Sequence, residues 1–179
     1  MSTYVALLYS ITLDRERRLK NADWLQVLEG LGLERPRTFL STGNAIFETA
    51  RTSIPNLETR LEDAFERAFG RRIDTIVRTG AAFRKLVAAN PFPDETERDP
   101  GHVAIRVMRQ PIEAAAFAEL AARASPRERV ALVDGDLWLY SPEPPGTSRV
   151  VARLSRERSG VGTIRAWSTV RRLGQMLDD

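Results

Sequence analysis

Seven residues have the types that anion chemistry needs: Thr42, Gly43, Asn44, Ser148, Arg149, Arg165 and Trp167. Arginine offers a planar fork of donors to a phosphate or carboxylate, and hydroxyl and amide groups add neutral donors beside it. If the terminal helix packs back on the first sheet, these groups converge on a small anionic molecule such as a phosphate ester. Thr42, Asn44, Ser148, Arg149 and Arg165 are then the ligand-binding set, and Arg165 is its leading member. Trp167 has the size and helical spacing of a core anchor.

Other chemistries have thinner support. His102 is the only histidine and follows Pro100-Gly101 at the start of a strand-like run. It could act as a base near neutral pH, but no nucleophile motif surrounds it, so an ordinary strand-end histidine is the simpler account. Asp134-Gly135-Asp136 pairs two carboxylates without the remaining positions of a calcium loop. Hairpin turn chemistry explains both. Ser159-Gly160-Val161-Gly162-Thr163 lacks the Gly-Lys-Ser/Thr ending of a phosphate loop and follows no apolar strand. It reads as a helix-helix connection. Glu95, Glu97 and Asp99 read as a solvated acidic stretch.

Composition removes whole classes. There are no cysteines, which excludes disulfides and thiolate sites, and a single histidine excludes histidine-cluster metal sites. No metal and no cofactor are therefore expected. No apolar run approaches a membrane span, and the N-terminus lacks a signal-peptide layout. A bacterial-type cytoplasmic protein is the expectation. The net charge of +3 is uneven. Residues 149–172 carry seven arginines against one acid, Glu157. That imbalance fits an anionic partner, although arginine outnumbers lysine 25 to 2 throughout.

The elements that must position these groups follow from periodicity. Tyr4-Val5-Ala6-Leu7-Leu8-Tyr9 reads as a central strand. Trp24, Leu25, Leu28 and Leu31 mark a first helix capped by Asn21 and stopped by Gly32. Thr38–Phe39 and Ala45–Phe47 flank a hairpin at Ser41-Thr42-Gly43-Asn44. Leu57, Leu61, Ala64, Phe65 and Ala68 form one face of a second helix, from Ser53 and Pro55 to Gly70. Ile73–Val77 is a fourth strand. That order, β-α-β-β-α-β, is a ferredoxin-like unit.

Thr79 caps a third helix that Asn90-Pro91 breaks. Residues 91–101 read as a linker. Beyond it, a strand from His102 to Met108, an Ala-rich helix from Pro111 to Arg123, and two strands meeting at Asp134-Gly135 repeat the β-α-β-β order. A basic helix from about Ser148 to Arg158 and a last helix through Trp167, Val170 and Leu173 complete the chain. The fold class is thus α+β: a ferredoxin-like N-terminal part with its trailing helix (1–90), a linker (91–101), and a smaller β-α-β-β subdomain with C-terminal helices (102–179).

Several segments together resemble the bacterial family known as domain of unknown function 1697 (DUF 1697). They are the Tyr4–Leu8 start, the Thr38–Phe47 hairpin, Ala88-Ala89-Asn90-Pro91-Phe92, and Arg165-Ala166-Trp167-Ser168-Thr169-Val170. The resemblance runs from about Tyr4 to Leu177. It implies a two-part α+β protein with a ferredoxin-like N-terminal part, and it brings no activity with it. Family members typically carry Arg-Gly-Ile-Asn-Val-Gly-Gly after the first strand, where this chain has Tyr9-Ser10-Ile11-Thr12-Leu13-Asp14-Arg15. The family's Ser-Gly-Asn corresponds to Thr42-Gly43-Asn44, its Ser-Lys-Leu to Ser148-Arg149-Val150, and its Arg-Asn-Trp-Asn-Thr to Arg165-Ala166-Trp167-Ser168-Thr169.

The function expected from these residues is binding of a small anionic, phosphate-like ligand in a cleft between the subdomains. One alternative is a nucleic-acid binder that stacks bases on Tyr9 and Phe47 of the sheet and tracks phosphates with the arginine-rich tail. The other is a metal-independent enzyme using His102 or the arginines.

Overall fold

The computed structural model describes residues 1–9 and 19–178. Most of the altered loop after the first strand, Ser10 to Arg15, lies outside the described residues.

The described chain divides into two units, one of Met1–Arg84 with Leu173–Asp179 and one of Lys85–Arg172. The first contains β1 (Ser2–Leu8), α1 (Asn21–Gly30), β2 (Glu34–Phe39), β3 (Asn44–Thr49), α2 (Ile54–Phe69) and β4 (Thr75–Thr79). Its sheet runs β2-β3-β1-β4, every pair antiparallel. Two non-sequential neighbours flank the first strand, which is the ferredoxin-like arrangement. Tyr4, Ala6 and Leu8 alternate along one face of β1 and share a core with Ala45, Phe47 and Val77. Trp24 and Leu28 of α1 and Leu57, Leu61 and Phe65 of α2 close it from the helical side.

The ends of α2 are set by local chemistry. Ser53 is extended and its Oγ accepts the Asn56 N–H, while Gly70 adopts the left-handed conformation (φ 73°) after the last turn. In α1 the first residue is Asn21 itself. Lys20 stands at the cap position with no side-chain hydrogen bond, so the expected Asn21 cap is absent.

The second unit contains α4 (Pro93–Arg98), β5 (Val103–Met108), α5 (Ala114–Ala121), β6 (Arg129–Val133), β7 (Asp136–Tyr140), α6 (Arg156–Ser159) and β8 (Gly162–Ala166). Its sheet order, β6-β7-β5-β8, repeats that of the first unit. The turn between β6 and β7 places Asp134 and Gly135 at φ 49° and 88°, as a type I′ hairpin requires. Met108, Leu137 and Leu139 face Leu120 of α5 and Val150. Two helices span the division: α3 (Gly80–Ala88), which follows β4 directly with Thr79 Oγ1 capping Ala82 N at 3.1 Å, and α7 (Trp167–Met176), which follows β8 directly.

Three element assignments are corrected. Residues 93–98, expected within a solvated acidic linker, form α4 with Glu95 and Thr96 buried and Glu95 paired with Arg129. Residues 162–166 are the strand β8, paired with β5 from Ala104↔Ala166 to Met108↔Gly162, where a helix-helix connection was expected. The basic segment is not one helix. A 3-10 turn at Val151–Arg153 stops at Leu154, and Ser155 starts α6 afresh by accepting the Arg158 N–H at 3.2 Å.

Candidate functional site

In the second unit, the chain after α5 and the chain after β7 enclose a groove of about 790 Å³. Arg123 and Ser125 line one side, Arg149 and Arg153 the other, and all three guanidinium groups are exposed. The Ala-rich helix ends at Ala121, so Arg123 falls in the turn beyond it. The 3-10 turn at Val151–Arg153 sets Arg149 and Arg153 at either end of one short coil. Val150, fully buried between them, fastens that coil to the core.

Glu128 does not line the groove but holds Ser125, which does. Its Oε2 accepts the Ser125 N–H at 2.7 Å. Partial burial, the largest single influence, pushes the Glu128 carboxyl up. Hydrogen bonds from Ser148 and Ser125, with the charge of Arg149, outweigh it and leave the carboxyl below its ordinary value. Ser148 is itself buried and its Oγ accepts the Val150 N–H at 3.1 Å.

Of the residues singled out by sequence, Arg149 lines this groove, while its chain neighbour Ser148 is buried and does not. Thr42 and Asn44 are brought together in the first unit, in a different role. Asn44 is fully buried, and its Nδ2 donates to Phe39 O and Thr42 Oγ1, both at 2.8 Å. The pair locks the hairpin. Arg165 sits on β8 rather than on the terminal helix and does not line the groove. It is 8% exposed and donates from Nη1 to Thr163 Oγ1 at 2.6 Å and to Ile164 O at 2.9 Å. Burial pushes its guanidinium down to about 10, still charged at neutral pH. Trp167 is buried and lies 5.7 Å from the Trp138 ring, as a core anchor does.

Arg123, Ser125, Glu128 and Arg153 were not found by sequence. Arg153 was visible within the basic segment, but nothing in the chain pairs it with Arg123, thirty residues earlier.

The competing chemistries resolve locally. His102 is half-buried and its Nδ1–H donates to Ser141 O at 2.8 Å. Asp136 Oδ1 accepts the Met108 N–H at 2.7 Å, and Asp134 pairs with Lys85 Nζ at 2.9 Å. Among the described residues, no three of His, Asp or Glu gather to hold a metal ion. Phe47 is fully buried and stacks on Tyr4 at 6.0 Å within the helix-covered core. It therefore offers no face to a base, which corrects the expectation of a stacking sheet. Among the described residues, no helix is long and apolar enough to cross a membrane.

A family model described as protein of unknown function (DUF1697) matches residues 1–138. A solved structure described as conserved bacterial protein SP0830 from Streptococcus pneumoniae matches with a TM-score of 0.77 at 19% identity, covering 98% of each chain. At that identity the likeness establishes the α+β fold. No curated protein matches the chain.

Proposed function

The chain belongs to the DUF1697 family, and from that premise we propose that it binds a small phosphate-bearing anion in the groove of its second unit. The carrying observation is that Arg123, Arg149 and Arg153, from two separate segments, line one groove of about 790 Å³. Each guanidinium presents a donor fork matched to a phosphate, and hydrogen bonds to charged groups are worth about 1.5–3 kcal/mol apiece. Glu128 is tied to Ser125 and Ser148 and does not line the groove, whose described lining residues include no acid. Arg149, expected from the sequence to bind ligand, keeps that role. Ser148 acts through Glu128, and Thr42, Asn44 and Arg165 are assigned to the framework.

Titration calorimetry with inorganic phosphate and a simple phosphate monoester tests the reading. The double variant Arg149→Ala/Arg153→Ala should weaken binding by about a hundredfold or more, two lost charge-assisted contacts at the lower end of their range. Equal binding by the wild type and this variant would refute it. The arginines exposed on α6, Arg156 and Arg158, favour a second reading in which the same surface follows a nucleic-acid backbone. A single-stranded oligonucleotide that binds much more tightly than the monoester, with affinity falling steeply with salt, would select that reading.

A further inference from the structure

The first unit carries a second cationic groove, of about 830 Å³, where the start of β1 meets the beginnings of α2 and α3. Arg51 and Arg84 line it together with the hydroxyl-bearing Thr3, Thr52 and Ser53, and none of its described lining residues is acidic. Arg51 is exposed just before α2. Arg84 folds back along α3, with Nη1 3.4 Å from where a Cβ on Gly80 would stand, which places the guanidinium beside Gly80.

The other edge of Arg84 already holds an anion. Its Nε and Nη2 lie 3.0 and 2.9 Å from Asp178 Oδ1, and Nη2 also donates to Leu177 O at 2.8 Å. A carboxylate of the chain's own C-terminal end is thus seated on one of the two cations of the groove. The Arg84–Asp178 pair is largely exposed, with side-chain accessibilities of 48% and 68%, so it is weak and exchangeable.

We propose that the groove between Arg51 and Arg84 binds a phosphate-type dianion, and that Asp178 is an intramolecular competitor that lowers the affinity. A dianion approaching Arg84 meets the Asp178 carboxylate as a like charge and must share or displace it. The site is independent of the groove in the second unit and shares no residue with it.

The test is a titration of the full chain with inorganic phosphate followed by amide NMR shifts. Binding here moves Thr52, Ser53, Gly80 and Ala81, whereas binding in the second unit moves Arg123 to Ser125. Arg51→Ala should weaken the first set of shifts by about tenfold or more, the loss of one charge-assisted contact. Asp178→Asn should tighten it about two- to fivefold, the range of an exposed ion pair. Arg149→Ala/Arg153→Ala should leave it unchanged. The proposal is overturned if the Thr52, Ser53, Gly80 and Ala81 amides do not respond to phosphate. It is equally overturned if Arg51→Ala binds like the wild type, or if Asp178→Asn binds no more tightly.

Discussion

The carboxylate of Glu58 accepts the backbone N–H of Val77 at 3.1 Å. One helical turn later, Glu62 does the same for Thr75 at 3.0 Å. β4 is the outer strand of its sheet, paired on one side with β1. The N–H groups of Thr75 and Val77 would otherwise stand as buried donors or as a template for another strand. Instead α2 closes the edge with two acids that are only 2% and 5% exposed. Glu58→Leu should cost about 1–3 kcal/mol, because it orphans a buried donor. Glu58→Gln keeps an acceptor and should cost less. Urea denaturation of the two variants measures the difference, and equal losses would show that charge or packing, not the hydrogen bond, holds this edge.

Gly162 explains why β8 was hidden in the sequence. A Cβ at this position would collide with the thioether of Met108 and lie 2.7 Å from Arg106 Nε. Glycine is required by close approach, yet in the sequence it stands two residues from Gly160 and looks like a flexible connection. Gly162→Ala should therefore destabilise by about 1–3 kcal/mol, the usual cost of overpacking. Gly146→Ala, with open space around it, should be near neutral. Thermal melts of the pair check this, and similar melting temperatures would argue against a close-packed β8.

Much of the fold was legible because its signals are local. The apolar stripe of α2, the Asp134-Gly135 turn and the Thr79 cap each lie within a few residues of their partners. Arg106 was legible only in part. It falls within the strand expected from His102 to Met108, but its role depends on residues more than fifty positions away. Nη1 donates to Ser159 Oγ at 2.8 Å and Nη2 to Gly160 O at 2.6 Å, which fixes the loop that precedes β8. The same limit applies to the groove of the second unit. Ser148 and Arg149 were found through their types, whereas Arg123 and Glu128 join them only through the packing of α5 on the sheet.

The first unit is completed by the end of the chain. Leu173 is fully buried and Met176 nearly so, and both belong to the first unit. Arg37 of β2 donates from Nη2 to Met176 O at 2.6 Å, so a cation caps the carbonyl end of α7. Arg37→Ala should cost about 0.5–2 kcal/mol, the range of a cap and a charged hydrogen bond. Removal of residues 173–179 should cost several kcal/mol more, since burying a leucine and a methionine contributes roughly 1.5–3 kcal/mol each. Hydrogen exchange would report the truncation as lost protection in β1–β4. Unchanged protection there would mean that the unit is complete without its C-terminal segment.

Glu128 gives the groove of the second unit a pH signature. Its carboxyl lies below the ordinary value of 4.5 in the folded state, with the Ser148 and Ser125 hydrogen bonds and the Arg149 charge outweighing partial burial. In the unfolded chain those partners are gone and the carboxyl regains the ordinary value. The unfolded state therefore takes up its proton first as pH falls, so acid favours unfolding. The stabilisation is fully present above about 4.5 and is lost as pH falls through the lower folded value. Glu128→Gln should remove that part of the acid sensitivity, giving a flatter dependence of stability on pH below about 4.5. Arg149→Ala should flatten it less, because Ser148 and Ser125 remain. Urea midpoints for the wild type and both variants across this range make the comparison. Parallel curves for the wild type and Glu128→Gln would show that the carboxylate is not held by these groups.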